Sequence, residues 1–251
     1  MIALAEQVGL YLDITGLGAY RLADTPAWYT ALSESERWET QALFWDAVSV
    51  RGASSPAVFC YNLMNEPVVA ADKKNPGDWY DGEFGGYHFI QFISLDPAGR
   101  SRDDIARAWI RKLTNAIRKN DQRHLITVGL LPPSAELNGI WSGFVPEKVA
   151  PELDFISVHI YPETGKIPDA VDIVKQFSVG KPLIVEETSN LYATTPELEQ
   201  FILQSQSLTS GWFGFYWGKT PDELRQSKEI PDAISLQWLE LFQKLGDVIN
   251  Q

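Results

Sequence analysis

Two kinds of segment alternate along this chain. The first kind is short, apolar and rich in β-branched or aromatic residues: GLYLDIT (9–15), AVFCYNLM (57–64), HLITVGLL (124–131), DFISVHIY (154–161), PLIVEETS (182–189) and GWFGFYWG (211–218). These runs are apolar on both faces, the pattern of parallel strands covered on both sides. The second kind has helical spacing. In DDIARAWIRKLTNAIRK (103–119), Ile105, Trp109, Leu113 and Ile117 recur every four residues, and Ala106 and Ile110 widen the stripe. Ser101, followed by Asp103 and Asp104, marks a helix start. DAISLQWLELFQKLGDVI (232–249) repeats the pattern. Further helices are expected at 36–50, 168–178 and 196–208, with a short one at 146–153, and IALAEQV reads as the last turns of a helix.

Strand then helix, about six times over with no linker, predicts a single α/β domain over 1–251 with a parallel sheet. A doubly wound open sheet and a (β/α) barrel compete. No glycine-rich phosphate loop follows any strand, which removes the usual sign of a nucleotide-binding open sheet. Polar residues instead close several strands: Asn65 and Glu66, His159 and Tyr161, Glu186 and Glu187, Trp217. In a (β/α) barrel those ends converge on the face that carries the active site. The expected fold is therefore a TIM-like (β/α) barrel with about six parallel strands. Two long connections, 16–35 and 67–102, show no obvious strand. The second is long enough to expect a functional loop.

Composition narrows the partners. The net charge of −12 disfavours nucleic acid and anionic membranes. The lone cysteine, Cys60, excludes an intrachain disulfide and sits in an apolar run as a buried thiol. No apolar run reaches the roughly 18 residues of a membrane span. The N-terminus lacks the basic start and cleavage site of a signal peptide. Either the protein is cytoplasmic or its natural start is missing. Nine Trp in 251 residues is a high count, and Trp both fills cores and stacks on flat ligand faces.

Two strands end in glutamate, at Glu66 and at the adjacent Glu186 and Glu187. Paired carboxylates across a pocket are the apparatus of glycoside hydrolysis, one as acid and one as nucleophile or base. A glutamate at a strand end is also an ordinary ion-pair partner, and His159 and Tyr161 read equally well as satisfied core residues. His88 and His124 read as structural. No His, Asp or Glu cluster has metal-ligand spacing, so neither metal nor cofactor is expected.

NLMNEP (62–67) resembles the Asn-Glu-Pro signature of the retaining (β/α)8 glycoside hydrolases of the cellulase and β-mannanase superfamily, most like family 5. KPLIVEETS is similar to that family's seventh strand, ISVHIYP to its sixth and GFYWG to its eighth. The resemblance implies Glu66 as acid/base and Asn65 as the partner of the sugar 2-hydroxyl. It implies His159 and Tyr161 in the pocket, Tyr161 orienting the nucleophile, and Trp217 as a stacking floor. Strand alternation lets only one of Glu186 and Glu187 face the pocket. Glu187, followed by Thr188 and Ser189, fits the family pattern better. Trp79 and Tyr80, Trp28, Tyr29 and Trp141 are candidate cleft walls, with loop packing as the alternative.

The matched strands correspond to the family's strands three to eight. Strands one and two have no counterpart, nor does the second-strand Arg; Arg21 is the nearest substitute. Strand edges at 9–15 and 211–218 are then expected to be open, which predicts a homodimer or higher oligomer covering them. The expected activity is endo-hydrolysis of β-1,4-linked glucan or mannan. The alternatives are a carbohydrate-binding protein without catalysis and a different (β/α) enzyme.

Overall fold

The structure, a computed structural model, describes residues 1–18, 21–132 and 142–249. Its strands are β1 (Leu12–Thr15), β2 (Val58–Asn65), β3 (Pro67–Val69), β4 (Tyr80–Phe84), β5 (Tyr87–Ser94), β6 (Leu125–Leu130), β7 (Ile156–His159), β8 (Leu183–Thr188) and β9 (Gly211–Gly214). Its helices are α1 (Ile2–Val8), α2 (Ala27–Thr30), α3 (Glu34–Gly52), α4 (Arg102–Arg118), α5 (Pro146–Val149), α6 (Ile167–Phe177), α7 (Thr195–Ser205), α8 (Pro221–Gln226) and α9 (Ile230–Ile249). Six parallel strands form one sheet in the order β1-β2-β6-β7-β8-β9. Chain order and spatial order agree, as short crossovers through helices require. All six expected strands are present, most of them shorter than their apolar runs. Packing divides the chain into two compact units, Met1–Ser157 and Val158–Gln251, with the boundary inside β7.

In the first unit β2 is the central strand. Cys60, Tyr61 and Leu63 are fully buried. α3 begins with a capping box: the Ser33 hydroxyl accepts from the Glu36 N–H, and Glu36 accepts from the Ser33 N–H. Its Trp45 is fully buried and donates Nε1–H to the Leu63 carbonyl at 3.3 Å, tying α3 to β2. α4 buries the stripe read from sequence, with Ile105, Trp109, Ile110, Leu113 and Ile117 all inside. Trp109 Nε1–H donates to Gln41 Oε1 at 2.7 Å across the α3–α4 seam.

The 67–102 connection is the main departure from expectation. It holds a second sheet of three strands in the order β3-β5-β4. β3 and β5 are parallel, whereas β4 and β5 form an antiparallel hairpin turning at Gly85 and Gly86. Both glycines have positive φ (60° and 83°), which a two-residue hairpin of this hand demands. Val68, Ala70, Trp79, Ile90, Phe92, Leu95 and Leu131 form its own core. The hairpin strand YHFIQFIS is exposed at one end and buried at the other, so neither simple alternation nor a continuous apolar run revealed it.

In the second unit α7 and α8 each start with a capping box, Thr194 with Glu197 and Thr220 with Glu223. α6 buries Ile167, Ala170, Val171, Val174 and Phe177. β9 ends at Gly214, where a Cβ would lie 2.8 Å from the Trp238 ring of α9. Glycine therefore lets that indole close over the strand, and Tyr216 and Phe242 pack edge-on against it.

Candidate active site

In the first unit the end of β2 carries Asn65 and Glu66, both buried, Glu66 being 7% exposed. Glu66 has φ 45°, a left-handed conformation for a residue that is not glycine. Proline at the next position disfavours helical backbone at Glu66, so the surroundings must hold it there. Its N–H donates to the Gly129 carbonyl at 2.9 Å, and its carbonyl accepts from the Gln91 N–H at 3.4 Å. Asn65 Nδ2 donates to the Phe89 carbonyl at 3.4 Å. The second sheet and β6 thus clamp the acidic turn from two sides.

In the second unit β8 carries Glu186 and Glu187. The Tyr161 hydroxyl donates to Glu187 Oε2 at 2.8 Å. His159, 2% exposed, sits between the two glutamates, with Nε2 3.4 Å from Glu186 Oε2 and Nδ1 3.5 Å from Glu187 Oε2. The Ile160 N–H donates to the Glu187 carbonyl at 2.9 Å. The Tyr161 ring packs edge-on against Phe215, and the Phe215 N–H donates to the Thr188 carbonyl at 2.9 Å. The Glu187 side chain is 21% exposed and that of Glu186 only 6%.

Strand alternation does not separate the two glutamates as the sequence reading expected. Val185 stands opposite Trp212 and Thr188 opposite Gly214, so three steps of β8 match two of β9. This bulge falls on the Glu186–Glu187 pair and breaks the period of two. β2 is bulged in the same way just before Glu66, with Asn62 opposite Thr127 and Asn65 opposite Gly129.

The remaining candidates fall in different places. Trp217, three residues past the end of β9, is 100% exposed. Trp79 is 3% exposed, donates Nε1–H to the Thr30 carbonyl at 3.0 Å and lies 4.0 Å under the Arg37 guanidinium. It belongs to the core of the second sheet and also lines a cavity with Thr30, Glu34 and Asp96. Tyr29 covers the other face of the same guanidinium, also at 4.0 Å. Trp141 lies outside the described residues. His124 is buried with its Nδ1 2.6 Å from Asp121 Oδ2, and His88 stacks on Tyr80. The sequence reading missed Asn62, Gln91 and Gly129. Asn62 carried a signal, being a polar residue in the middle of a buried strand.

The parallel strand order, with helices between the strands, defines the fold as that of a (β/α) half-barrel, with six parallel strands among the described residues. Within that class the chain is similar to the cellulase and β-mannanase enzymes. Mannan endo-1,4-beta-mannosidase 2 of Arabidopsis thaliana is 26% identical over 123 residues, covering 44% of this chain and 22% of that protein. The catalytic domain of Thermobifida fusca endoglucanase Cel5A superposes with a TM-score of 0.56 at 14% identity, over 87% of this chain and 61% of that one. A GH5_18 protein from Streptomyces cattleya, in complex with Manβ1-4GlcNAc, gives a TM-score of 0.60 at 13% identity, over 85% of this chain and 54% of that one. The chain thus matches about a fifth of the length of the curated relative and just over half of each solved structure. No protein-family model matches the chain.

Proposed function

We propose that this chain is a retaining endo-β-glycosidase acting on β-1,4-linked glucan or mannan as one catalytic domain, with Glu66 as acid/base and Glu187 as nucleophile. The observation that carries the reading is the Tyr161 hydroxyl bonded to Glu187 Oε2 at 2.8 Å on a strand-end carboxylate that is still partly open to solvent. A donor on one oxygen fixes the carboxylate and leaves its other oxygen to attack the anomeric carbon. That similar proteins are a mannan endo-1,4-beta-mannosidase and an endoglucanase supports the substrate class.

The chemistry balances in two steps. Glu187 forms a bond to the anomeric carbon as the bond to the leaving oxygen breaks, and Glu66 gives that oxygen its proton. Glu66, now a carboxylate, takes a proton from water, which attacks the same carbon and releases Glu187. Asn65 holds the sugar 2-hydroxyl, His159 and Tyr161 line the pocket, and the exposed indole of Trp217 offers a stacking face. Trp141 is proposed as a substrate-binding residue. A second copy of the chain is proposed to cover the open edges of β1 and β9.

The test is hydrolysis of soluble glucan, mannan and aryl β-glycosides by the wild type, Glu66→Gln and Glu187→Gln. Each variant is expected to lose at least about 100-fold in kcat, the lower range of acid–base catalysis. Full activity in both variants, or oligosaccharide binding by the wild type with no turnover, contradicts the reading.

A further inference from the structure

The bulge in β2 has left a mark on its neighbour. Where the bulge interrupts the ladder, the Gly129 N–H of β6 donates to the side-chain oxygen of Asn62, Oδ1, at 2.9 Å. The carbonyl of the same Gly129 accepts the Glu66 N–H at 2.9 Å. Asn62 Oδ1 therefore takes the place that a β2 carbonyl has in an unbroken ladder, and the residue it grips is the one that holds Glu66. Asn62 is 2% exposed and lies between Tyr61 and Leu63, both fully buried. An amide in such a place is costly unless its bonds are made, so its partners are fixed. At the other end of this relay Glu66 has φ 45° ahead of Pro67, a backbone that relaxes if its anchors loosen.

We propose that Asn62 is a positioning residue for the acid/base. Its amide oxygen anchors Gly129, Gly129 anchors the left-handed backbone of Glu66, and that backbone aims the Glu66 carboxyl at the leaving oxygen. The inference rests on the reading of Glu66 as the acid/base. It implies a particular kinetic defect. A poor leaving group needs the Glu66 proton in the first step, whereas 2,4-dinitrophenolate departs without it. A mis-aimed acid therefore slows only the substrates that need protonation.

The experiment measures kcat/KM, which reports that first step, on aryl β-glycosides from phenyl to 2,4-dinitrophenyl. It compares the wild type with Asn62→Leu, Asn62→Asp and Glu66→Gln in the full chain. Asn62→Leu keeps the volume but removes the acceptor. It should lose on the order of 100-fold on the phenyl glycoside, the scale of a misplaced catalytic group, and little on the dinitrophenyl glycoside. Asn62→Asp keeps the acceptor oxygen and should recover most of the phenyl rate. Equal losses on every leaving group, or full rates in Asn62→Leu, overturn the proposal. If Asn62→Leu does not fold by circular dichroism, Asn62→Ala, which also removes the acceptor, takes its place: a loss confined to the poor leaving groups supports the proposal, and full rates or equal losses on every leaving group overturn it. Glu66→Gln separates the two readings. If it shows no leaving-group-dependent loss, the acid/base assignment fails whatever the Asn62 variants do.

Discussion

Removing the Tyr161 hydroxyl takes one donor from Glu187 and leaves the ring packed on Phe215. Tyr161→Phe should therefore lower kcat about 10- to 100-fold while the melting temperature stays within a few degrees. An unchanged kcat separates Tyr161 from the nucleophile. A different residue contributes to stability against acid. The buried Asp121 carboxylate accepts from the Tyr61 hydroxyl at 2.8 Å, meets His124 Nδ1 at 2.6 Å, and takes the backbone N–H groups of Arg123 and His124 at 2.9 and 3.0 Å. Burial pushes its pKa up, but the bonds from His124, Arg123 and Tyr61 outweigh burial and bring it down to about 2. Burial and the bond to Asp121 push the Tyr61 phenol well above its ordinary range. A carboxylate lowered on folding stabilises the protein above its unfolded pKa, and that stability is lost as pH falls through the folded value. Against an ordinary value of 3.8 the difference amounts to about 2 kcal/mol, lost between about pH 4 and pH 2. Asp121→Asn should cost on the order of 2 kcal/mol in denaturant melts at pH 7, with a gap to the wild type that closes toward pH 2. A gap independent of pH contradicts this.

At the scale of elements, the helices and buried strands were legible because their periods survive in the sequence. The α4 stripe at spacing four is the buried face, and the apolar runs are the six strands of the main sheet. Two features were hidden for a physical reason. Bulges insert a step in β2 just before Glu66 and in β8 at Glu186–Glu187, so the period of two alone does not fix which side chain faces where. The 80–94 hairpin mixes a buried end with an exposed one, and its exposed aromatics mask the pattern. Single residues show a similar limit: Trp79 reads from sequence as a cleft wall or as loop packing, and the structure puts it in the core of the second sheet, while Trp217, expected as a stacking floor, has its indole fully exposed. The fit of β9 against α9 gives an element-level prediction. Gly214→Ala puts a Cβ 2.8 Å from the Trp238 ring, and overpacking of this kind costs about 1–3 kcal/mol. A melting temperature equal to that of the wild type would show that α9 moves aside without cost.

For the whole molecule, the strand order leaves β1 and β9 as the terminal strands of the six. Edges of this kind accept another chain. Leu10 and Tyr11, just before β1, are exposed, as are Phe213 in β9 and Phe215 just after it. Light scattering is expected to give a dimer or larger at micromolar concentration; a monomer removes the proposed second copy. The central claim, that Glu187 is the nucleophile of a retaining hydrolase with Glu66 as its acid/base, has a more direct test. The protein is incubated with 2,4-dinitrophenyl 2-deoxy-2-fluoro-β-glucoside and, separately, with the manno analogue. The fluorine slows release of the glycosyl-enzyme, so a covalent adduct accumulates and is mapped by peptide mass spectrometry. The expected result is a mass gain of one fluoroglycosyl group, located on Glu187. An adduct on Glu186 or elsewhere, or no adduct with either sugar, contradicts it.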